Sequence, residues 1–135
     1  MATDPAGLLI DTHLLLWWAL SPERLPTATR DLLASSDHTA RFSVVSIWEV
    51  AIKASLKRPD FQVNPEELRF GLLQEGFQEL AIQSEHVLAV AHLPLIHRDP
   101  FDRLLVVQAA REGLRLLTSD RTLASYGAPV QWVAG

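Results

Sequence analysis

Short, continuous apolar runs recur along the chain, and each leads into a segment with helical spacing. GLLID (7–11) precedes THLLLWWAL (12–20), and ARFSVVS (40–46) precedes IWEVAIKASLKR (47–58), which Pro59 ends. FQELAI (77–82) precedes EHVLAVAHL (85–93), with Ser84 as its expected cap. LRLLTS (114–119) follows DRLLVVQAAREG (102–113), and VQWVA (130–134) closes the series as a fifth candidate strand. Strands that alternate with helices, and that are apolar throughout rather than at every second residue, belong to a parallel sheet covered on both faces. The expected fold is therefore α/β, a central and mainly parallel sheet of four to five strands with helices on both faces.

Local punctuation supports this order. SPERLP (21–26) reads as a turn and TATRDLLASS (27–36) as a helix. Asn64 and Pro65 form an N-cap and first-turn pair for PEELRFGLLQEG (65–76), and Gly113 is placed to stop the helix before it. No repeat, low-complexity tract or linker divides the chain, so its 135 residues read as one domain, 1–135, large enough for a hydrophobic core. Hydrophobic residues make up 48% and charged residues 21%, a globular rather than a disordered balance.

Composition also excludes some chemistry. There is no cysteine, hence no disulfide framework, thiolate metal site or thiol nucleophile, which fits a cytoplasmic protein. The longest apolar stretches fall far short of the roughly 20 residues of a membrane span, and MATDPAGLLIDTH does not read as an export signal. The net charge of −4, from 12 basic and 16 acidic residues, argues weakly against nucleic-acid binding. Neutralising four acids with a metal ion would remove that imbalance.

Four acids stand out by position. A helix of 12 residues from Asp102 runs about 18 Å. The following strand of six returns about 20 Å. Asp120 therefore comes back to the level of Asp102, at the carboxyl edge of the sheet. Asp11 ends the first strand on that same edge, and Glu49 lies in the expected first turn of the helix after the second. Ligand crevices of open α/β sheets lie there, where the strand order reverses.

Each acid also has a structural reading. Ser46 and Glu49 have the spacing of a capping box, as do Asp99 and Asp102, while Asp11 and Asp120 stand where N-caps belong. Capping does not explain why all four share one edge. Crowding like charges is unfavourable without a cation, and neutralising Asp120 should then relieve the ion-free protein. A cluster of carboxylate oxygens suits Mg2+ or Mn2+.

LLIDTH, SVVSIWEVAIK, HRDPFDRLLVVQAA and LLTSD, in this order and at these separations, resemble the PIN-domain ribonucleases, most closely the VapC-type toxins of bacterial toxin–antitoxin pairs. The resemblance spans 8–133 and is only general between 56 and 96. It carries the family's acidic quartet onto Asp11, Glu49, Asp102 and Asp120, and its hydroxyl position onto Thr118. It implies metal-dependent endoribonuclease activity: one or two Mg2+ or Mn2+ ions held by the quartet would activate water against an RNA phosphodiester. Asp11 and Asp120 would be direct ligands, Asp102 a ligand or water-orienting base, and Glu49 a ligand through water. The implied partners are RNA, a cognate antitoxin, and further copies of the chain in a homodimer or a hetero-oligomer with the antitoxin, with no membrane.

Other residues carry open readings. Lys53 is placed for an i,i+4 pair with Glu49, with a phosphate contact as the minor alternative. Arg98 and Arg103 flank the acidic edge as candidate phosphate contacts, unless Arg103 pairs with Asp99. Asp99 reads as a cap before a ligand, and His13 and His97 as packing or hydrogen-bonding residues before ligands. Trp17 and Trp18 point about 100° apart on a helix, so either one is exposed to anchor the antitoxin or both join the core. Two other classes of function compete with the nuclease. A non-catalytic PIN-like module that binds RNA or protein is disfavoured by the intact quartet. A phosphotransferase with an aspartyl nucleophile is disfavoured because His13 stands where its second acid belongs.

Overall fold

Leu8 and Ile10 belong to one buried cluster and Leu9 to another, and none of the three has any accessible surface. This is the two-sided burial of a central strand, whose successive side chains point to opposite faces. The computed structural model describes residues 7–134, so the leading MATDPA, whose lack of an export signal was a sequence expectation, lies outside the described residues. Within them, β1 (Gly7–Ile10), β2 (Thr39–Ser43), β3 (Gln78–Leu80), β4 (Arg115–Thr118) and β5 (Val130–Trp132) form one sheet in the order β3-β2-β1-β4-β5. Every pairing is parallel. The strand order reverses beside β1, because β2 and β3 lie to one side and β4 and β5 to the other.

The helices are α1 (Thr12–Leu20), α2 (Thr27–Ala34), α3 (Val44–Ser55), α4 (Pro65–Gln74), α5 (Ser84–Ala89), α6 (Pro100–Glu112) and α7 (Arg121–Ala124). Leu14 and Leu15 of α1, Leu33 of α2 and Leu72 of α4 pack with Leu8, Ile10 and Leu117. Leu105 and Ala109 of α6 and Leu123 of α7 pack with Leu9 and Leu116. The α3 helix serves both clusters, Val50 joining the first and Val45 the second. Asn64 caps α4 as expected, accepting from Glu66 and Glu67 N–H. Gly113 ends α6 at φ 68°, a left-handed conformation that glycine adopts without steric cost.

Four local expectations are corrected. The second strand stops at Ser43, and α3 begins at Val44 rather than at residue 47. Its N-cap is Ser43, whose hydroxyl accepts from Val45 N–H at 2.9 Å and donates to Gln108 Oε1 at 2.5 Å. Ser46 is not a capping-box partner of Glu49; it accepts instead from the Thr12 hydroxyl at 2.9 Å. Glu49 therefore stands in the second turn of α3, not the first. Gln83, not Ser84, caps α5, in a reciprocal box with His86. SPERLP contains a 3-10 turn, Pro22–Arg24. No helix among the described residues is long and apolar enough to cross a membrane.

Candidate active site

At the carboxyl edge, beside the strand reversal, β1 delivers Asp11 and β4 delivers Thr118 and Asp120. The parallel register that pairs Ile10 with Leu117 sets Asp11 beside Thr118. Asp11 N–H donates to Leu117 O at 3.1 Å, and the Thr118 hydroxyl donates to Asp11 Oδ2. The other Asp11 oxygen accepts from Leu14 N–H at 2.9 Å, so Asp11 is the N-cap of α1. Burial pushes the Asp11 carboxyl above its ordinary range, and the bonds from Thr118 and Leu14 only partly offset it.

Asp102 lies in the first turn of α6, where Asp99 is the N-cap and accepts from Phe101 and Asp102 N–H. The Asp102 carboxyl is pushed up to about 7, first by burial and then by the charges of Asp99, Asp11 and Glu49, with His97 opposing. Asp120 caps α7, its Oδ1 accepting from Thr122 and Leu123 N–H at 2.8 and 3.2 Å. Burial raises the Asp120 carboxyl, but the His97 hydrogen bond and the capping N–H groups outweigh it and hold the carboxyl below its ordinary range. The relief expected from neutralising a crowded acid therefore belongs to Asp102 rather than to Asp120, because Asp120, unlike Asp102, has hydrogen-bond partners on both oxygens.

Glu49 is buried on α3, and Lys53 one turn on binds its Oε2 at 3.0 Å, as the i,i+4 spacing predicts. Its Oε1 is buried with no hydrogen-bond partner among the described residues. An unsatisfied buried carboxylate oxygen is costly, and a cation is one of the few groups that removes that cost. The four acids form one electrostatic group, since Asp102 senses Asp11 and Glu49 and Asp11 senses Asp120. Convergence of this kind fits a hard divalent ion held by carboxylate oxygens. His97, Asp102 and Asp120 also offer three ligand atoms within 4.8 Å of one another.

The neighbouring residues divide. His13 and Arg98 are exposed. Arg103 does not pair with Asp99; its guanidinium donates to the carbonyls of Pro94 at 3.0 Å, Val90 and Leu93 at 3.3 Å and His97 at 3.4 Å, and to the Tyr126 hydroxyl at 3.1 Å. It pins the irregular segment that leads into α6. Trp17 and Trp18 are both half-buried against the core, and Trp18 meets Phe77 edge-on at 5.6 Å. Neither is a freely projecting anchor, although Trp18 borders a groove of about 300 Å³ with Leu20, Val63 and Gly71.

A second polar cluster escaped the sequence reading. The fully buried His86 ring accepts from Gln83 N–H at 2.9 Å and lies 2.9 Å from Glu112 Oε2. Its Nδ1 is also 3.4 Å from Gln108 Nε2, so the cluster joins α5 and α6 to Ser43. A capping-box glutamine three residues before a histidine was the available signal.

Residues 8–129 of the chain match the PIN domain. Ribonuclease VapC22 of Mycobacterium tuberculosis (strain ATCC 25618 / H37Rv) is 30% identical over 133 residues, covering 90% of this chain and 93% of that protein. In overall fold the chain is similar to VapBC2 from Rickettsia felis bound to a DNA fragment from their promoter, with a TM-score of 0.68 at 14% identity, over 96% of this chain and 98% of that one. It is also similar to a toxin–antitoxin complex from Klebsiella pneumoniae, with a TM-score of 0.64 at 18% identity, over 92% and 95%.

Proposed function

Because the chain belongs to the PIN-domain family, we propose that it is a metal-dependent endoribonuclease, the toxin of a toxin–antitoxin pair, working in the cytoplasm. The relative at 30% identity is named a ribonuclease, which supports RNA as the substrate. Asp11, Glu49, Asp102 and Asp120 would hold Mg2+ or Mn2+. The observation that carries the reading is geometric: the buried Glu49 Oε1 has no hydrogen-bond partner among the described residues. The crowding that pushes the Asp102 carboxyl up among the neighbouring acids supports it.

A divalent ion held there would supply charge stabilisation at the attacked phosphate and would activate water. The chain's own residues prepare the site. Thr118 and Leu14 N–H orient Asp11, the capping N–H groups orient Asp120, and Lys53 fixes one oxygen of Glu49 and leaves the other free. Among the described residues Asp102 accepts no comparable hydrogen bond, His97 Nε2 standing 3.5 Å from its Oδ2, so its lone pairs are available to the ion or to a water that it orients.

The partners have apolar surfaces to meet. The groove beside Trp18 is one, with Leu20 at 57% exposure on its lip, and we assign the antitoxin to it. Trp48 and Ile52 on α3 and Leu56 at its C-cap are exposed at four-residue intervals, a stripe suited to a second copy of the chain. Incubation of the purified protein with total RNA, with Mg2+ and with EDTA, tests the activity. Defined cuts that need the ion support it; intact RNA under both conditions favours a PIN-like module that binds without cutting.

A further inference from the structure

The His97 ring sits between two of the site acids with both its nitrogens engaged. Nδ1 lies 3.1 Å from the backbone nitrogen of Asp99, which is a donor, so Nδ1 must present its lone pair. Nε2 lies 2.9 Å from Asp120 Oδ2 and 3.5 Å from Asp102 Oδ2, which are acceptors. A neutral imidazole has one N–H and one lone pair. Only the tautomer with its proton on Nε2 satisfies both contacts.

The ring's place is fixed from behind. His97 N–H donates to the Tyr126 hydroxyl at 3.1 Å, which itself donates to Pro94 O at 2.8 Å. Arg103 holds the carbonyls on either side of this segment. With the backbone that carries it so held, the ring can exchange its nitrogens only by giving up its contacts to the Asp99 N–H and to Asp120 Oδ2.

Resting on the ribonuclease reading, we propose that His97 is a positioning residue of the metal site: a fixed N–H donor that aims Asp120 and adjoins Asp102, and not a nitrogen ligand of the ion. Three clustered donor atoms from His97, Asp102 and Asp120 would otherwise read as a mixed nitrogen–oxygen site suited to zinc. For Nε2 to ligate, the proton would have to move to Nδ1, where it would face the Asp99 N–H across 3.1 Å. Two donors would then oppose each other. With His97 as donor, the protein contributes oxygens alone. Asp120 is aimed at both ends, Oδ1 by the α7 N–H groups and Oδ2 by His97. Partners that orient metal-ligating side chains are worth roughly 10–100-fold in metal affinity.

The test uses Mn2+ itself as the probe, with wild type, His97→Ala and His97→Gln, all checked for folding by circular dichroism. Paramagnetic resonance reads both free Mn2+, giving Kd, and any directly bound nitrogen, through its 14N coupling. The wild type should show no directly bound 14N. His97→Ala should bind Mn2+ roughly 10–100-fold more weakly. His97→Gln, whose amide N–H can replace the donor, should recover most of that loss. A strong 14N coupling in the wild type that disappears in His97→Ala overturns the proposal, and so does an unchanged Kd in a folded His97→Ala. A His97→Gln protein as weak as His97→Ala overturns the donor role. If His97→Ala does not fold, the wild-type 14N measurement and the His97→Gln Kd decide. Because none of these readouts uses RNA, wild type that binds Mn2+ as stated but cuts no RNA removes the ribonuclease reading and supports the positioning role.

Discussion

The Thr118 hydroxyl donates to Asp11 Oδ2 across the β1–β4 pair and, on its other side, accepts the backbone N–H of Asp120 at 3.0 Å. One fully buried side chain thus joins two acids that are 109 residues apart (120 − 11). Thr118→Val keeps the shape, removes both bonds and leaves Asp11 Oδ2 and the Asp120 N–H without this partner. The expected loss is about 1–3 kcal/mol of stability. Thr118→Ser should recover most of it. Urea denaturation of the three proteins measures the difference.

Asp102 predicts a pH-dependent penalty in the ion-free protein. Its carboxyl is raised from 3.8 to about 7 in the folded state, so between those values the folded chain holds more protons than the unfolded one. Stability then falls as pH rises, and the favourable contribution present below the unfolded value is lost on passing about 7. Asp102→Asn removes this group's dependence. In EDTA the variant should melt above wild type near pH 8, with the gap narrowing through pH 5 and closing as pH falls towards 3.8. Asp11 is raised too, so the variant keeps part of the slope. Equal melting temperatures near pH 8 would contradict the crowding of Asp102.

Asp120 should move the other way. Its carboxyl is held below the ordinary range, so its contribution is present at neutral pH and lost as pH falls through its folded value. Asp120→Ala should lose about 0.5–2 kcal/mol as a lost N-cap. Asp120→Asn, which retains part of the cap, should lose less, yet should not exceed wild type in EDTA. Thermal melts at neutral pH rank the three. Neighbouring acids of one cluster would then respond to neutralisation with opposite signs.

How much of this was legible in the sequence depends on how local the cause is. Asn64, Asp99 and Gly113 act on groups within a few residues, and their positions were readable. The order of apolar runs was enough to bring the four acids to one edge. The β2–α3 boundary was not readable, because Val44 and Val45 continue a β-branched run that suits a strand as well as a helix. What decides it is Ser43, whose hydroxyl reaches Gln108 on α6 and caps α3 in the same geometry. The roles of Arg103 and His97 were hidden for a similar reason. Their partners are backbone groups of an aperiodic segment and the distant Tyr126 and Asp120.

The α3 stripe predicts self-association. Ile52→Glu introduces a charge into it without entering the core, since Ile52 is 40% exposed. Light scattering after gel filtration should show a wild-type mass above that of one chain and a shift of the variant towards the monomer. An unchanged mass would rule out this stripe as the contact.

The central claim, that the acidic cluster cuts RNA with a divalent ion, is tested most directly by mapping RNA 5′ ends after incubation with purified wild type and Asp102→Asn. The reactions contain Mg2+, Mn2+ or EDTA, and circular dichroism confirms that both proteins are folded. The account predicts discrete new ends with wild type in Mg2+ or Mn2+, none in EDTA, and none with Asp102→Asn under any condition. Wild-type cleavage that persists in EDTA, or a folded Asp102→Asn that cuts at the wild-type rate, would contradict it.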